Sequence, residues 1–121
     1  MSVLTPFTSV FKSKSVTSTT TGVGADVVYS VPANHDVEIT LLVCTNGGAT
    51  NNINVLVYHS DDSTYHYLLR AHSVAGNDTH EVITSSRLYL HAGDKILAYK
   101  GAGTFDVSLS GKQYYNPVRN L

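Results

Sequence analysis

The chain has no tryptophan, one cysteine and three prolines, and little of it is charged. Each shortage removes a class of protein. Cys44 stands alone, which excludes an intrachain disulfide framework and fits a reduced compartment. Charged residues make up 14% of the chain, against roughly 25% in an ordinary soluble protein. The eight Lys and Arg are scattered among nine Asp and Glu, for a net charge of −1. No basic stripe with interleaved aromatics is present to neutralise phosphates, so nucleic acid is not an expected partner. No run approaches the ~20 apolar residues that span a bilayer, so neither is a membrane. The first residues, Met1-Ser2-Val3-Leu4-Thr5-Pro6, lack a basic region leading into an apolar run and do not read as a signal peptide. Without one, the Asn77-Asp78-Thr79 sequon carries no weight.

Arrangements that carry chemistry are equally scarce. There is no Gly-x-Ser-x-Gly, and Cys44 has no basic or helix N-terminal surroundings to activate it. Gly22-Val23-Gly24 precedes a strand pattern, so no helix dipole stands behind it to hold a phosphate. Six histidines invite a metal reading, but none has the helical i, i+4 spacing of a zinc site. The nearest pair, His59 and His66, would face each other across a hairpin and still need a third ligand. Asp61-Asp62 lacks the alternating acidic pattern of a calcium loop and reads as a solvated turn. Asp94 reads as a turn acceptor. The expectation is a non-enzyme without cofactor, metal or catalytic residues.

What the sequence has is alternation. At 121 residues it suits one domain, and 42% apolar content suits a packed core rather than disorder. Short period-two segments, closed about every ten residues by Gly, Asn, Asp or Ser turns, predict an all-β, antiparallel sandwich or jelly-roll-like fold. Strands are expected at 27–31, 36–45, 53–59, 65–72, 79–84, 88–90, 95–100 and 104–110. The 60–64 segment reads as a hairpin loop. Residues 1–25 read as an extended N-terminal arm with Phe7 and Phe11 as its large apolar anchors, 6–16 having room for one strand. Residues 26–115 form the sandwich, and 116–121 read as a C-terminal tail.

Strict alternation through 36–45 turns Val37, Ile39, Leu41 and Val43 inward, and Leu42 and Cys44 outward. Leu56, Tyr58 and Leu68 fall on outward positions by the same rule. A solvated face normally alternates to polar residues. Either these side chains are covered by the arm, a second subunit or a larger assembly, or a β-bulge swaps the register and returns Leu42 to the core. On the first reading the interface candidates are Phe7, Phe11, Leu42, Leu56, Tyr58, Leu68, Tyr114 and Tyr115.

Val31-Pro32-Ala33, the strand end Leu42-Val43-Cys44-Thr45-Asn46, and Leu88-Tyr89-Leu90-His91-Ala92-Gly93-Asp94-Lys95-Ile96 resemble the small β-sandwich virion proteins of tailed bacteriophages. The resemblance covers residues 27–110, and its motifs are largely turn chemistry. It implies a virion structural protein, assembled in the host cytoplasm and not secreted, of the capsid decoration (cement) type. Its partners would be itself, as a homo-oligomer such as a trimer, and the major capsid protein or other virion proteins. A neck or tail adaptor, a tail or baseplate accessory, and a glycan-binding receptor-recognition module are the alternatives.

Overall fold

The computed structural model describes residues 7–84 and 86–117. Within them nine strands form two antiparallel sheets packed face to face. The first sheet holds β1 (Phe7–Val16), β9 (Phe105–Tyr115) and β3 (His35–Asn46), in that order. Along the far side of β3 lie β6 (Asp78–Ile83) and β7 (Leu88–His91). The second sheet runs β2 (Asp26–Ser30), β8 (Lys95–Lys100), β4 (Asn51–His59), β5 (Thr64–Val74). The expected all-β sandwich is what the chain builds.

Inward side chains fill the space between the sheets. Ile53, Val55 and Val57 of β4 and Ile96 and Ala98 of β8 meet Phe105, Val107 and Leu109 of β9 and Val37 and Ile39 of β3. Period-two alternation placed all three β9 residues and all three β4 residues on this side, and there they lie. Residues 7–16 are a strand of the sandwich rather than a free arm. β1 pairs with β9 along its whole length, and Val10 and Val16 reach the core. Its other inward positions carry Thr8, Lys12 and Lys14, all exposed, and lysines on an edge strand discourage edge-to-edge aggregation. The Ser/Thr-rich residues that follow are a loop tied down by Asp26, whose carboxylate accepts the amides of Thr17 (2.6 Å) and Ser18 (3.0 Å).

The strand β3 departs from simple alternation. Its pairing with β9 shifts between Ile39 and Leu41, leaving Thr40 as an extra residue. Beyond this bulge Leu42, Cys44 and Asn46 face inward, while Leu41 and Val43 face out. Leu42 is fully buried, at 0% exposure, and Leu41 is 38% exposed. Leu42 therefore belongs to the core and not to an outer seam. The opposing residue, Gly111, explains the site of the bulge. A Cβ there would run into the Glu38 carbonyl oxygen and approach the Ile39 Cα to 3.0 Å, so glycine lets the two backbones close at this point.

Two of the turn motifs meet in space. Val31 donates to the Asp94 carbonyl (2.9 Å), and Gly93, at φ +87°, donates to the Val31 carbonyl (3.0 Å). Asp94 is the hub of this corner. One carboxylate oxygen accepts the Ser60 amide (2.9 Å) and hydroxyl (3.0 Å), and the other accepts the His91 amide (2.9 Å). Asn46 plays the same part at another corner, donating to the carbonyls of Ala49 (2.7 Å) and Val74 (2.9 Å) and accepting the Gly48 amide (2.9 Å).

Candidate functional site: the two outer sheet faces

With the core filled from inside, the outer faces carry side chains open to a partner. On the first sheet, register and alternation place Phe7, Ser9, Phe11, Ser13 and Ser15 of β1 beside Tyr114, Lys112, Ser110, Ser108 and Asp106 of β9. Next come Asp36, Glu38, Leu41, Val43 and Thr45 of β3, then Tyr89 and His91 of β7 and Thr79 and Glu81 of β6. Phe11 is 68% exposed, Tyr89 61% and Phe7 51%. Single exposed apolar residues are ordinary. Four of them, with Leu41, on one face of one sheet are a patch.

The patch has polar pins. The Phe7 and Tyr114 rings lie 6.0 Å apart, and the Lys112 ammonium sits 4.9 Å from the Phe7 ring centre. Glu38 is buried at the middle of the face, 3.6 Å from the Arg87 guanidinium. A hydrogen bond with Tyr89 first, and the Glu38 charge second, raise the Arg87 pKa above its ordinary value. At one end Asp36 meets His91 Nδ1 (3.1 Å) and accepts from the Asn116 side chain (2.8 Å). The Asn116 amide also donates to the Asn34 carbonyl (2.6 Å), so the expected C-terminal tail begins anchored to its own sheet. Residues 118–121 of that tail, and 1–6 of the expected arm, lie outside the described residues. Tyr115 is exposed but packs edge-on against His35 (5.5 Å) on the opposite side of β9 from Tyr114.

The second sheet presents a different surface. Leu56 and Leu97 pair across β4 and β8 on its outer side, flanked by Val27 and Tyr67, yet both leucines are buried. Tyrosines cover them. Tyr67 and Tyr99 share a hydroxyl contact of 2.6 Å, with the Thr21 hydroxyl 3.3 Å from Tyr67, and the Tyr58 and Tyr65 rings lie 5.0 Å apart. Arg70 stands 4.8 Å over Tyr67 and Lys95 5.5 Å from Tyr58. Hydrogen bonds from Thr21 and Tyr99 lower the Tyr67 pKa, while burial and the bond to Tyr67 raise that of Tyr99. Leu56 is thus covered by its own chain and is not free to line a seam. Leu68 is the extra residue of a second bulge, opposite Val55 and Leu56, and it too packs on the core.

Of the eight sequence-predicted interface residues, Phe7, Phe11 and Tyr114 come together on one outer face, and Tyr58 lies on the other. Leu42, Leu56 and Leu68 turn out to be structural, and Tyr115 sits at the end of the sandwich. Leu41 and Tyr89 were missed. The signal for Tyr89 was an aromatic in a four-residue strand between polar turns; Leu41 was hidden by the bulge. Four of the six histidines lie in ring pairs, His59 with His66 (5.2 Å) and His72 with His80 (4.0 Å). Among the described residues, no group of three or more His, Cys, Asp or Glu is placed to hold a metal ion. The chain matches no family model and no curated protein.

Proposed function

We propose that the chain is a non-enzymatic structural protein of a bacteriophage virion, a capsid decoration (cement) protein that docks on the head lattice, and on copies of itself, through the outer face of its first sheet. The observation that supports this reading best is the exposed band of Phe7, Phe11, Leu41 and Tyr89 on that face. β1, β9 and β3 with β7 and β6 beyond them, at ~4.8 Å between strands and ten residues at ~3.4 Å, give a sheet face of roughly 650 Å². That approaches the ~800 Å² per partner of a standard protein interface. Many copies on a symmetric shell then add modest single contacts into durable attachment. The low charge of the chain fits such close neighbours.

The test is co-sedimentation of the purified protein with particles of the phage that encodes it. Replacing Phe11 and Tyr89 by Glu puts two carboxylates into the patch without touching the core. Loss of two aromatic anchors is expected to weaken attachment by roughly 100-fold or more, while Tyr65→Ser on the opposite face leaves it unchanged. Undiminished attachment of the double variant would overturn the reading. The tyrosine-lined face of the second sheet favours a second reading, a glycan-binding tail module, because the paired Tyr58 and Tyr65 offer ring faces and hydroxyls suited to sugars. A glycan array without hits above background removes it.

A further inference from the structure

The two sides of the sandwich are closed in different ways. Along one side, β1 runs into β2 through residues 17–25, and the Tyr29 hydroxyl donates to Gln113 (2.6 Å) from sheet to sheet. Along the other, the edge strands β5 and β6 face each other across the gap between the sheets. Three things join them there: the turn at 75–77, the bond from Asn46 to Val74, and a stack of two imidazoles. The His72 and His80 ring centres lie 4.0 Å apart with their planes inclined by 34°. His72 is level with Ile53 in β4 and His80 with Cys44 in β3, and both of those neighbours are wholly buried. Each ring therefore projects from its own sheet into the gap and shields core beneath it.

We propose that the His72–His80 stack is an acid-released clasp: neutral rings hold this side of the sandwich shut, and protonation of the pair drives β5 and β6 apart. Neutral imidazoles at this spacing attract by dispersion, whereas two imidazolium ions repel, and a partly buried site screens them poorly. Other groups do little to neutralise that charge. From β3, burial pushes the Cys44 thiol up to about 12, so it stays neutral. From β4, Ile53 brings no charge. On β5, Arg70 is turned to the Tyr67 ring on the outer face. On β6, Asp78 is exposed with its carboxylate on the Thr79 amide (2.8 Å), and Glu81 partly offsets the repulsion from the opposite face. Burial lowers the His80 pKa below 6.5, and the charge of His72 lowers it further. A depressed native value means the unfolded or opened chain binds the proton first. The clasp is thus fully effective above about pH 6.5 and is lost as pH falls through that value toward the lower native one.

The experiment reads the reactivity of Cys44, which the clasp covers, toward 4,4′-dithiodipyridine on the full chain, with circular dichroism recorded alongside. Between about pH 7.5 and about pH 5 the rate, divided by that of the same thiol in the urea-unfolded chain at each pH, is expected to rise roughly tenfold with the β signal intact, the division removing the loss of thiolate in acid. His80→Phe keeps a ring in the stack without a titrating nitrogen and is expected to hold the rise to within about twofold. If that variant does not fold, His72→Phe serves, and an NMR titration of the His80 ring in the parent protein decides independently. An identical acid rise in the phenylalanine variant, no rise in the parent, collapse of the β signal together with labelling, or a His80 pKa at or above its ordinary value would each overturn the proposal.

Discussion

The bulge at Thr40 makes adjacent leucines opposite in character, and truncating each in turn measures it. Leu42 is fully buried beside Cys44 and Val107, so Leu42→Ala removes buried methyl groups and leaves a cavity that the two-sheet core closes only in part. Such truncations cost about 2–5 kcal/mol, and a site held between two sheets belongs near about 3. Leu41 stands on the outer face with 38% of its surface exposed, and its truncation is expected to cost about 1 kcal/mol. At about 4 °C per kcal/mol for a domain of this size, the first substitution lowers Tm by about 12 °C and the second by about 4 °C. Urea unfolding monitored by circular dichroism gives the two values, and an unchanged m-value confirms that the denatured state is not what moved. Equal losses, or a larger loss for Leu41→Ala, would mean that alternation runs straight through Thr40 and that the register argued above is wrong.

The remaining predictions concern the devices that hold the sheets in place. Gly111→Ala is expected to cost about 3 kcal/mol, since its Cβ meets backbone of Glu38 and Ile39 rather than a side chain that can swing away; thermal unfolding indistinguishable from the parent would remove the close-approach argument. Asp94→Ala leaves the half-buried Ser60 and His91 amides without their acceptor, at a cost of about 2–4 kcal/mol, read from the denaturation midpoint. Burial pushes the Asp26 carboxyl up, but the Ser18 and Thr17 amides, the Thr17 hydroxyl and the Lys14 charge together hold it below its ordinary value. A depressed carboxyl stabilises the fold above its unfolded pKa and ceases to do so as pH falls through the native one. Asp26→Asn should therefore flatten the stability profile below about pH 4, and an unchanged acid limb would refute the clamp.

The strands were legible in the sequence because period-two patterns with clear ends leave little choice. Phe105, Val107 and Leu109 alternate with Asp106, Ser108 and Ser110, so only one side of that strand suits the core. What stayed hidden was set by contacts between residues far apart in the chain. A bulge that returns Leu42 to the core was one of the two readings open for 36–45, and it is the one the chain adopts; its position at Thr40 answers to Gly111, far along the chain, and nothing local fixes it. The register shift in β5 leaves Ala71 at φ +47°, a conformation no propensity assigns to alanine. The same blindness extended to the expected outward residues. Leu56 obeyed alternation and does face outward, but the tyrosines that cover it come from β5 and β8. The Ser/Thr-rich segment offered no pattern because its order comes from Asp26, not from alternation of its own. Phe7 and Phe11 were readable as anchors from size alone, whereas their placement on the same outer face as Tyr89 required the pairing order β1-β9-β3-β7.

On the proposed reading attachment to a shell is a matter of occupancy, and the quantity that tests it is the number of copies of this chain per purified virion from a culture producing it, measured by quantitative mass spectrometry against the major shell subunit. A cement protein returns a fixed ratio repeated over the whole lattice. A chain found at a few copies, or missing from intact particles, would contradict a role on the head surface.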